Sequence, residues 1–225
     1  MLSTRALLAA PLAYKGRYAP SFVTHVTATG TTYSVPAAAR PGDLAVVWTG
    51  GEYISYSETT GTFTELAQYS SAVRPYSHVF YALLPDPVPS SYTFNVSECG
   101  IMGIFRNVDQ STPIDVDPPP AITNTDVSPN ITTAENRSLI AISCLSYRVG
   151  AVKPVAPAGY TNMASIFDAR DSNYWFATAY RGSTTAGSYT GGQWVADGTS
   201  TPYGSYYTSP NVMSGTIAIR GALIP

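Results

Sequence analysis

The chain has 225 residues, enough to bury a substantial core in one large β domain or two small ones. Only 12% of the residues are charged, about half the share of roughly 25% that is usual for soluble domains. The net charge is −2 and the basic residues form no cluster, which excludes nucleic acid as a partner, because phosphate binding needs grouped Lys and Arg side chains.

Residues 1–20 are predicted to form an extended N-terminal arm. The apolar run that follows Arg5 resembles the start of a signal peptide, but it is short and Pro11 breaks it. No apolar run in the chain reaches the length of a membrane span, so we expect no membrane partner. The arm combines aromatic and cationic side chains that we expect to contact a partner protein: Tyr14, Lys15, Arg17 and Tyr18.

Residues 21–225 are predicted to form a body made of β-strands. The run Pro41-Gly42-Asp43-Leu44-Ala45-Val46-Val47-Trp48-Thr49 begins with a turn and continues as an apolar strand without polar alternation. This pattern is typical of a strand that is buried on both faces. Residues 138–144 repeat it, and we expect the two runs to be the central strands. Further strands are predicted at residues 22–28, 31–35, 53–56, 63–69, 77–84, 92–96 and 101–105.

The run Asp117-Pro118-Pro119-Pro120 divides the body into two halves, 21–117 and 118–225, that look like a divergent duplication. Three stretches of the second half match stretches of the first: 158–163 matches 61–66, 174–180 matches 78–84, and 215–221 matches 100–106. Many short strands with frequent turn signals predict an all-β fold, an antiparallel sandwich with a jelly-roll-like path. The halves could share one sandwich or form two in tandem, and the short connector favours one body.

No catalytic constellation is found, so we expect no enzyme activity and no cofactor. His25 and His78 lie inside predicted strands, without an acid or nucleophile at motif distance. Cys99 and Cys144 lack the spacing of a metal site, and they could be two buried thiols or a disulfide. The acids Asp109, Asp115 and Asp117 could bind calcium, but turn chemistry explains them as well, and we predict no metal site.

Tyrosine is frequent, with 17 copies. Strand propensity accounts for most of them, whereas the Gly/Ser/Tyr mixture of residues 203–207 resembles a recognition loop. Carbohydrate binding uses flat aromatic faces beside hydroxyl and amide groups. The candidates for such a ligand site are Trp194, Tyr203, Tyr206 and Tyr207, although for Trp194 a core position is the favoured interpretation.

Several motifs resemble those of a group of tailed-bacteriophage virion proteins. In that group a "GDL" strand, a "YTF" strand and a "YRGVD…PIDV" segment recur in this order, followed by a "PAG" turn and an "ALR"-like strand. The corresponding residues here are Pro41-Gly42-Asp43-Leu44, Ser91-Tyr92-Thr93-Phe94, Phe105-Arg106-Asn107-Val108-Asp109 with Thr112-Pro113-Ile114-Asp115-Val116, Pro157-Ala158-Gly159 and Ala218-Ile219-Arg220. Phe105 and Asn107 replace the Tyr and Gly of the pattern, and the likeness covers residues 22–221.

The resemblance implies a β-rich component of the virion exterior and carries over no active site. We therefore expect a non-enzymatic structural protein that decorates or cements a phage capsid or forms part of a fibre, held by its arm. Its partners would be the major capsid protein or fibre and tail proteins, and a homotrimer would suit either role. The alternative is a carbohydrate- or receptor-binding module that contacts a glycan of the host surface.

Overall fold

A computed structural model describes residues 16–51, 57–69, 76–95, 99–115, 121–146, 152–169, 174–199, 201–203 and 212–224. Within these ranges the chain forms eighteen β-strands and no α-helix, and therefore no helix that could cross a membrane. In chain order the strands are β1 (Ser21–Ala28), β2 (Thr32–Ser34), β3 (Leu44–Gly51), β4 (Thr64–Tyr69), β5 (Tyr76–Leu83), β6 (Ser91–Thr93), β7 (Cys99–Arg106), β8 (Ala121–Thr123), β9 (Val127–Ser128), β10 (Ile131–Thr133), β11 (Leu139–Ser146), β12 (Pro154–Val155), β13 (Thr161–Asp168), β14 (Tyr174–Gly182), β15 (Gly187–Tyr189), β16 (Gly192–Gln193), β17 (Val195–Ala196) and β18 (Val212–Ile219). The predicted strand at 53–56 lies outside the described residues.

Ten of these strands form two five-stranded antiparallel sheets, and each sheet comes from one half of the chain. The first sheet has the order β1-β7-β3-β5-β4 and the second the order β8-β18-β11-β14-β13. The two orders are the same once β1 is matched with β8, β7 with β18, β3 with β11, β5 with β14 and β4 with β13. The internal repeat read from the sequence therefore appears as a repeated topology.

The all-β antiparallel sandwich is confirmed, but the jelly-roll-like path is not. In a jelly roll the chain passes repeatedly between the two sheets. Here the chain completes one sheet before it starts the other. The two sheets pack on one shared apolar layer, so the halves form a single sandwich rather than two in tandem.

A β-bulge lies at the same place in both halves. The register of β4 against β5 shifts at Leu66, and that of β13 against β14 shifts at Met163. These two residues are equivalent in the alignment of 61–66 with 158–163, so the bulge confirms that part of the repeat. A bulge is a conserved geometric feature of a strand rather than a defect, which is why its position helps to match the halves.

Two other parts of the sequence alignment are corrected by the strand register. When the two bulged strands are aligned on their bulges, Phe80 of β5 takes the same position as Ala179 of β14. When the two central strands are aligned, Phe105 of β7 takes the same position as Ile219 of β18. The predicted alignment of 174–180 with 78–84 is therefore wrong by three residues, and that of 215–221 with 100–106 is wrong by one residue. Both shifts are odd and would put each side chain on the opposite face of its sheet. The sequence could not reveal this, because these strands are apolar on both faces.

The boundary between the halves lies earlier than the proline run. Arg220 donates its backbone N–H to the carbonyl of Pro113 at 2.8 Å, and Asp115 donates to the carbonyl of Ala218 at 2.8 Å. Ile114 bridges Ile219 between these bonds. Residues 113–115 thus already belong to the edge of the second sheet, and the boundary predicted at 117/118 belongs before Pro113.

The central strands β3 and β11 are buried on both faces, as predicted, and every residue of each is buried. Their side chains alternate between an inner apolar layer, which both sheets share, and an outer layer on each sheet. The inner layer includes Leu44, Val46, Trp48, Leu139, Ala141 and Leu145. The outer layers place Tyr33, Tyr92 and Phe94 over Ala45 and Val47, and Trp194, Ala196 and Tyr203 over Ile140 and Ile142.

Candidate functional site

The two ends of the described chain meet at one end of the sandwich. Tyr18 donates its backbone N–H to the carbonyl of Ala222 at 2.8 Å, and Ile224 donates to Gly16 at 2.9 Å. On the other side of the C-terminal segment, Ala222 donates to the carbonyl of Asn107 at 2.8 Å. Residues 16–18, 220–224 and 107–109 therefore form a small three-stranded ribbon, which we call the terminal ribbon.

Arg17 ties this ribbon to the body. Its guanidinium donates to Asp109 at 2.7 Å and to the carbonyl of Gly221 at 2.8 Å, and lies 3.1 Å from a carboxylate oxygen of Glu135. The side chain is only 11% exposed. The sequence predicted that Arg17 binds a partner protein; its charge is instead satisfied within the chain, so this prediction is corrected to an intramolecular role.

The pairing shifts the titration of both groups. Burial by itself would raise the pKa of Asp109, but hydrogen bonds from Arg17 and from the N–H groups of Thr112 and Ser111 outweigh it and lower that pKa. Burial opposes the charge of Arg17 as well, yet its two carboxylates leave the Arg17 pKa raised. Because the Asp109 pKa is depressed, the pairing stabilises the fold above the ordinary pKa of Asp and is lost as the pH falls through the lower folded pKa.

A second carboxylate beside the ribbon is completely buried. Asp115 is 0% exposed and accepts hydrogen bonds from the Ser138 hydroxyl, from Arg220 at 3.2 Å, and from the backbone N–H groups of Ala134 and Glu135 at 3.2 and 3.1 Å. All of these donors belong to the second half of the chain. Asp115 thus joins the segment that begins the second sheet to the turn before its central strand.

The first sheet has a corresponding ion pair. Arg106 at the end of β7 binds Asp43, just before β3, with Nε–Oδ1 and Nη2–Oδ2 distances of 2.8 and 2.7 Å. The strand register makes Arg220 the equivalent of Arg106 and Ser138 the equivalent of Asp43. In the second half a serine has taken the acidic position, and Asp115 supplies the carboxylate from the connector.

Backbone strain among the described residues also collects at this end of the molecule. Two non-glycine residues adopt positive φ there, Asn107 at 60° and Arg137 at 58°. Asn107 belongs to the terminal ribbon, and Arg137 donates a hydrogen bond to the carbonyl of Arg17 at 3.0 Å. Such conformations persist only where surrounding contacts hold them, and they concentrate at functional sites.

Two large apolar side chains are exposed on the terminal ribbon. Tyr18 is 46% and Leu223 is 54% exposed, and the backbone segments that carry them pair with each other. The partner-binding role of Tyr18 stays a prediction. Tyr14 and Lys15, the other two residues predicted to bind a partner, lie outside the described residues.

The aromatic candidates for a ligand site do not come together on a surface. Trp194 and Tyr203 are both 0% exposed, because they cover the outer face of the second sheet. Trp194 donates its indole N–H to the Ser128 hydroxyl at 2.9 Å, and the Tyr203 hydroxyl donates to the carbonyl of Val152 at 2.9 Å. The core position favoured for Trp194 is therefore confirmed, and the ligand-binding role predicted for Tyr203 is corrected to a role in the core. Tyr206 and Tyr207 lie outside the described residues.

The described acid, histidine and cysteine side chains named in this paragraph make contacts that serve the fold. No group of three or more His, Cys, Asp or Glu side chains in the described ranges could hold a metal ion. His78 is buried beside Glu65 at 2.6 Å, and burial lowers its pKa. Glu58 accepts backbone N–H groups of Thr60 and Thr62, the pattern of a turn. Cys99 and Cys144 are both buried and form no disulfide, which answers the question of their pairing.

Comparison with protein-family models, with curated proteins and with solved structures finds no match for this chain. The likeness to phage virion proteins thus stays an expectation from motifs. Two of those motifs nevertheless supply residues of this end of the sandwich: the "GDL" strand supplies Asp43, and the "YRGVD…PIDV" segment supplies Arg106, Asp109 and Asp115. We infer the function below from the geometry of this end.

Replacing Gly221 with alanine is expected to detach residues 16–18 from the ribbon. A Cβ on Gly221 would lie 1.8 Å from the carbonyl oxygen of Tyr18, which is backbone and cannot turn aside. We expect a loss of about 1 to 3 kcal/mol in unfolding free energy, as for overpacking elsewhere, and faster hydrogen exchange of the Tyr18 amide. The control is Gly182→Ala, where a Cβ meets nothing within 4 Å. Unchanged exchange at Tyr18 would contradict the prediction.

Proposed function

We propose that the chain is a non-enzymatic structural protein on the exterior of a bacteriophage virion. It decorates or cements the capsid, or forms part of a fibre, and residues 1–15 anchor it to another virion protein. The partner is the major capsid protein or a fibre or tail protein, and the chain acts as a homotrimer.

The observation that carries the proposal is the way the arm joins the body. Arg17 binds Asp109 and Glu135, and Tyr18 continues the ribbon, so the arm starts from a fixed point on the sandwich. The chain has few charged side chains, and Arg17, Asp109 and Glu135 are used to fix this point. Fixing the base of an arm reduces the entropy lost when the arm binds a partner, which suits an anchoring role.

The chemistry around this point supports a protein partner. Residues 1–20 contain Arg5, Lys15 and Arg17 and no acidic residue, and the remaining side chains are mostly apolar. Tyr18 and Leu223 add exposed apolar area at the base of the arm. A partner surface with apolar groups surrounded by carboxylates would match this composition.

The decisive experiment removes residues 2–15 and leaves residues 16–20 in place. A deletion that includes Arg17 would break the ribbon and confuse loss of binding with loss of folding. We expect the truncated chain to unfold at the same urea concentration as the full chain and to lose binding to phage shells assembled without the protein. Light scattering is expected to give a trimer for the full chain.

The control variant keeps the arm and replaces Lys153, a cation of the second sheet's outer side, with glutamine. It should bind shells like the unmodified chain. If the truncated chain folds and binds shells as tightly as the full chain, the arm is not the anchor and the proposal fails. If light scattering gives a monomer instead, only the trimeric state is contradicted, and the rest of the proposal stands.

A further inference from the structure

An open cleft of about 460 Å³ lies beside the terminal ribbon. Its walls are the turn at residues 40–43, which leads into β3, and residues 106–108 and Gln110 at and after the end of β7. Val108 and Ala222 contribute apolar surface, and Ala222 also belongs to the ribbon. The cleft therefore opens at the same end of the sandwich from which the arm starts.

One guanidinium in the cleft is held rigidly. Arg106 binds both oxygens of the buried Asp43 through Nε and Nη2, and Nη2 also donates to the carbonyl of Ala38 at 3.0 Å. This two-point pairing fixes the plane of the guanidinium and raises the Arg106 pKa. Its third nitrogen, Nη1, donates to no acceptor within the described part of the chain.

A second guanidinium has no partner among the described residues. Arg40 is exposed, and its backbone N–H donates to Asp43 at 2.9 Å, which holds the turn. Its side chain forms no ion pair with any acid in the described ranges. Asp43 is thus the one carboxylate lining a cleft that contains two arginines, and both its oxygens are already hydrogen-bonded. The cleft keeps an excess of one positive charge.

We propose that this cleft binds an oxyanion, specifically the carboxylate of an Asp or Glu side chain that a neighbouring virion subunit inserts; the identity of that subunit rests on the function proposed above. Nη1 of Arg106 presents its N–H donors in a fixed orientation, and Arg40 lines the same cleft from the opposite wall. A fixed guanidinium binds a planar carboxylate without losing rotamer entropy, and this distinguishes the cleft from an isolated surface arginine.

The test titrates the full-length, isotope-labelled protein with succinate and, separately, with inorganic phosphate at constant ionic strength. Amide signals of Gly42, Asn107 and Gln110 are followed by NMR. We expect saturable shifts with succinate that the variant Arg40→Gln weakens at least tenfold, while Lys153→Gln behaves like the unmodified protein. Absence of saturation, or equal binding by Arg40→Gln, would overturn the site. Saturation with phosphate alone would overturn the carboxylate as its ligand.

Shell binding separates this inference from the proposed function. If Arg40→Gln loses succinate but still binds shells as tightly as the unmodified chain, the cleft does not receive a subunit's carboxylate and the inference fails, whereas the arm's role is untouched. If the chain lacking residues 2–15 still binds shells, the proposed anchor fails, whereas the succinate result remains. A parallel loss of succinate and shell binding in Arg40→Gln supports the inference as a whole.

Discussion

Replacing Asp115 with alanine is expected to lower the free energy of unfolding by about 3 to 5 kcal/mol, the usual cost of removing one partner from a buried ion pair. The carboxylate is 0% exposed and serves four donors. Its removal leaves the Arg220 charge without its carboxylate and two backbone N–H groups without their acceptor. Because Asp115 also joins residues 113–115 to the second sheet, the backbone amide at position 115 should exchange its hydrogen faster in the variant as that edge loosens.

Urea unfolding of three further variants makes the result specific. Ser138→Ala removes a single donor and should cost about 1.5 to 3 kcal/mol, the range for a hydrogen bond to a charged group. Asp115→Asn keeps the shape but lacks the charge, so its loss should fall between that of Ser138→Ala and that of Asp115→Ala. Asp197→Ala, at an exposed turn, should stay within about 0.5 kcal/mol of the unmodified protein. A loss below about 1 kcal/mol for Asp115→Ala would show that the carboxylate does not hold the two segments together.

The position of Asp115 explains why the sequence alone did not identify this network. Its two side-chain donors, Ser138 and Arg220, are 23 and 105 residues away, and no local pattern links them. The motif that contains Asp115 was visible, and turn chemistry or calcium could each account for an acid there. Only the strand register brings Arg220 to the position that Arg106 occupies in the first sheet.

The central strands, in contrast, could be predicted because their signal is local. A turn followed by an uninterrupted apolar run indicates a strand that is buried on both faces. The same property hid the register of the strands beside them, since a run that is apolar on both faces does not indicate which face is inner. Trp194 was hard to place for a related reason: its neighbours form strands of only two residues, too short to show alternation.

Two neighbouring residues of the predicted arm have different surroundings in the structure. Tyr18 is exposed, whereas Arg17, one residue earlier, points to acids at positions 109 and 135. A sequence pattern shows that aromatic and cationic side chains are adjacent. It does not show which of them the rest of the chain will pair. For this reason the shell-binding experiment truncates the arm before Gly16.

Gly50 and Leu145 form a close contact between the two sheets. They occupy equivalent positions of β3 and β11 and pack against each other. A Cβ on Gly50 would lie 2.4 Å from Leu145 Cδ2 and 2.7 Å from the carbonyl oxygen of Tyr76. The observed spacing of the sheets therefore leaves no room for a side chain at position 50 opposite Leu145.

Gly50→Ala is therefore expected to cost about 1 to 3 kcal/mol through overpacking, and Leu145→Ala about 2 to 5 kcal/mol through the cavity that it leaves. The double variant should be more stable than the sum of the two losses predicts, by about 1 kcal/mol, since removing the leucine relieves one of the two clashes. The clash with the Tyr76 carbonyl persists, so rescue should be incomplete. Urea unfolding of both single variants, the double variant and Gly182→Ala completes the cycle. Strict additivity would mean that Gly50 and Leu145 do not limit the approach of the sheets, and that the repeat is matched at some other pair of positions.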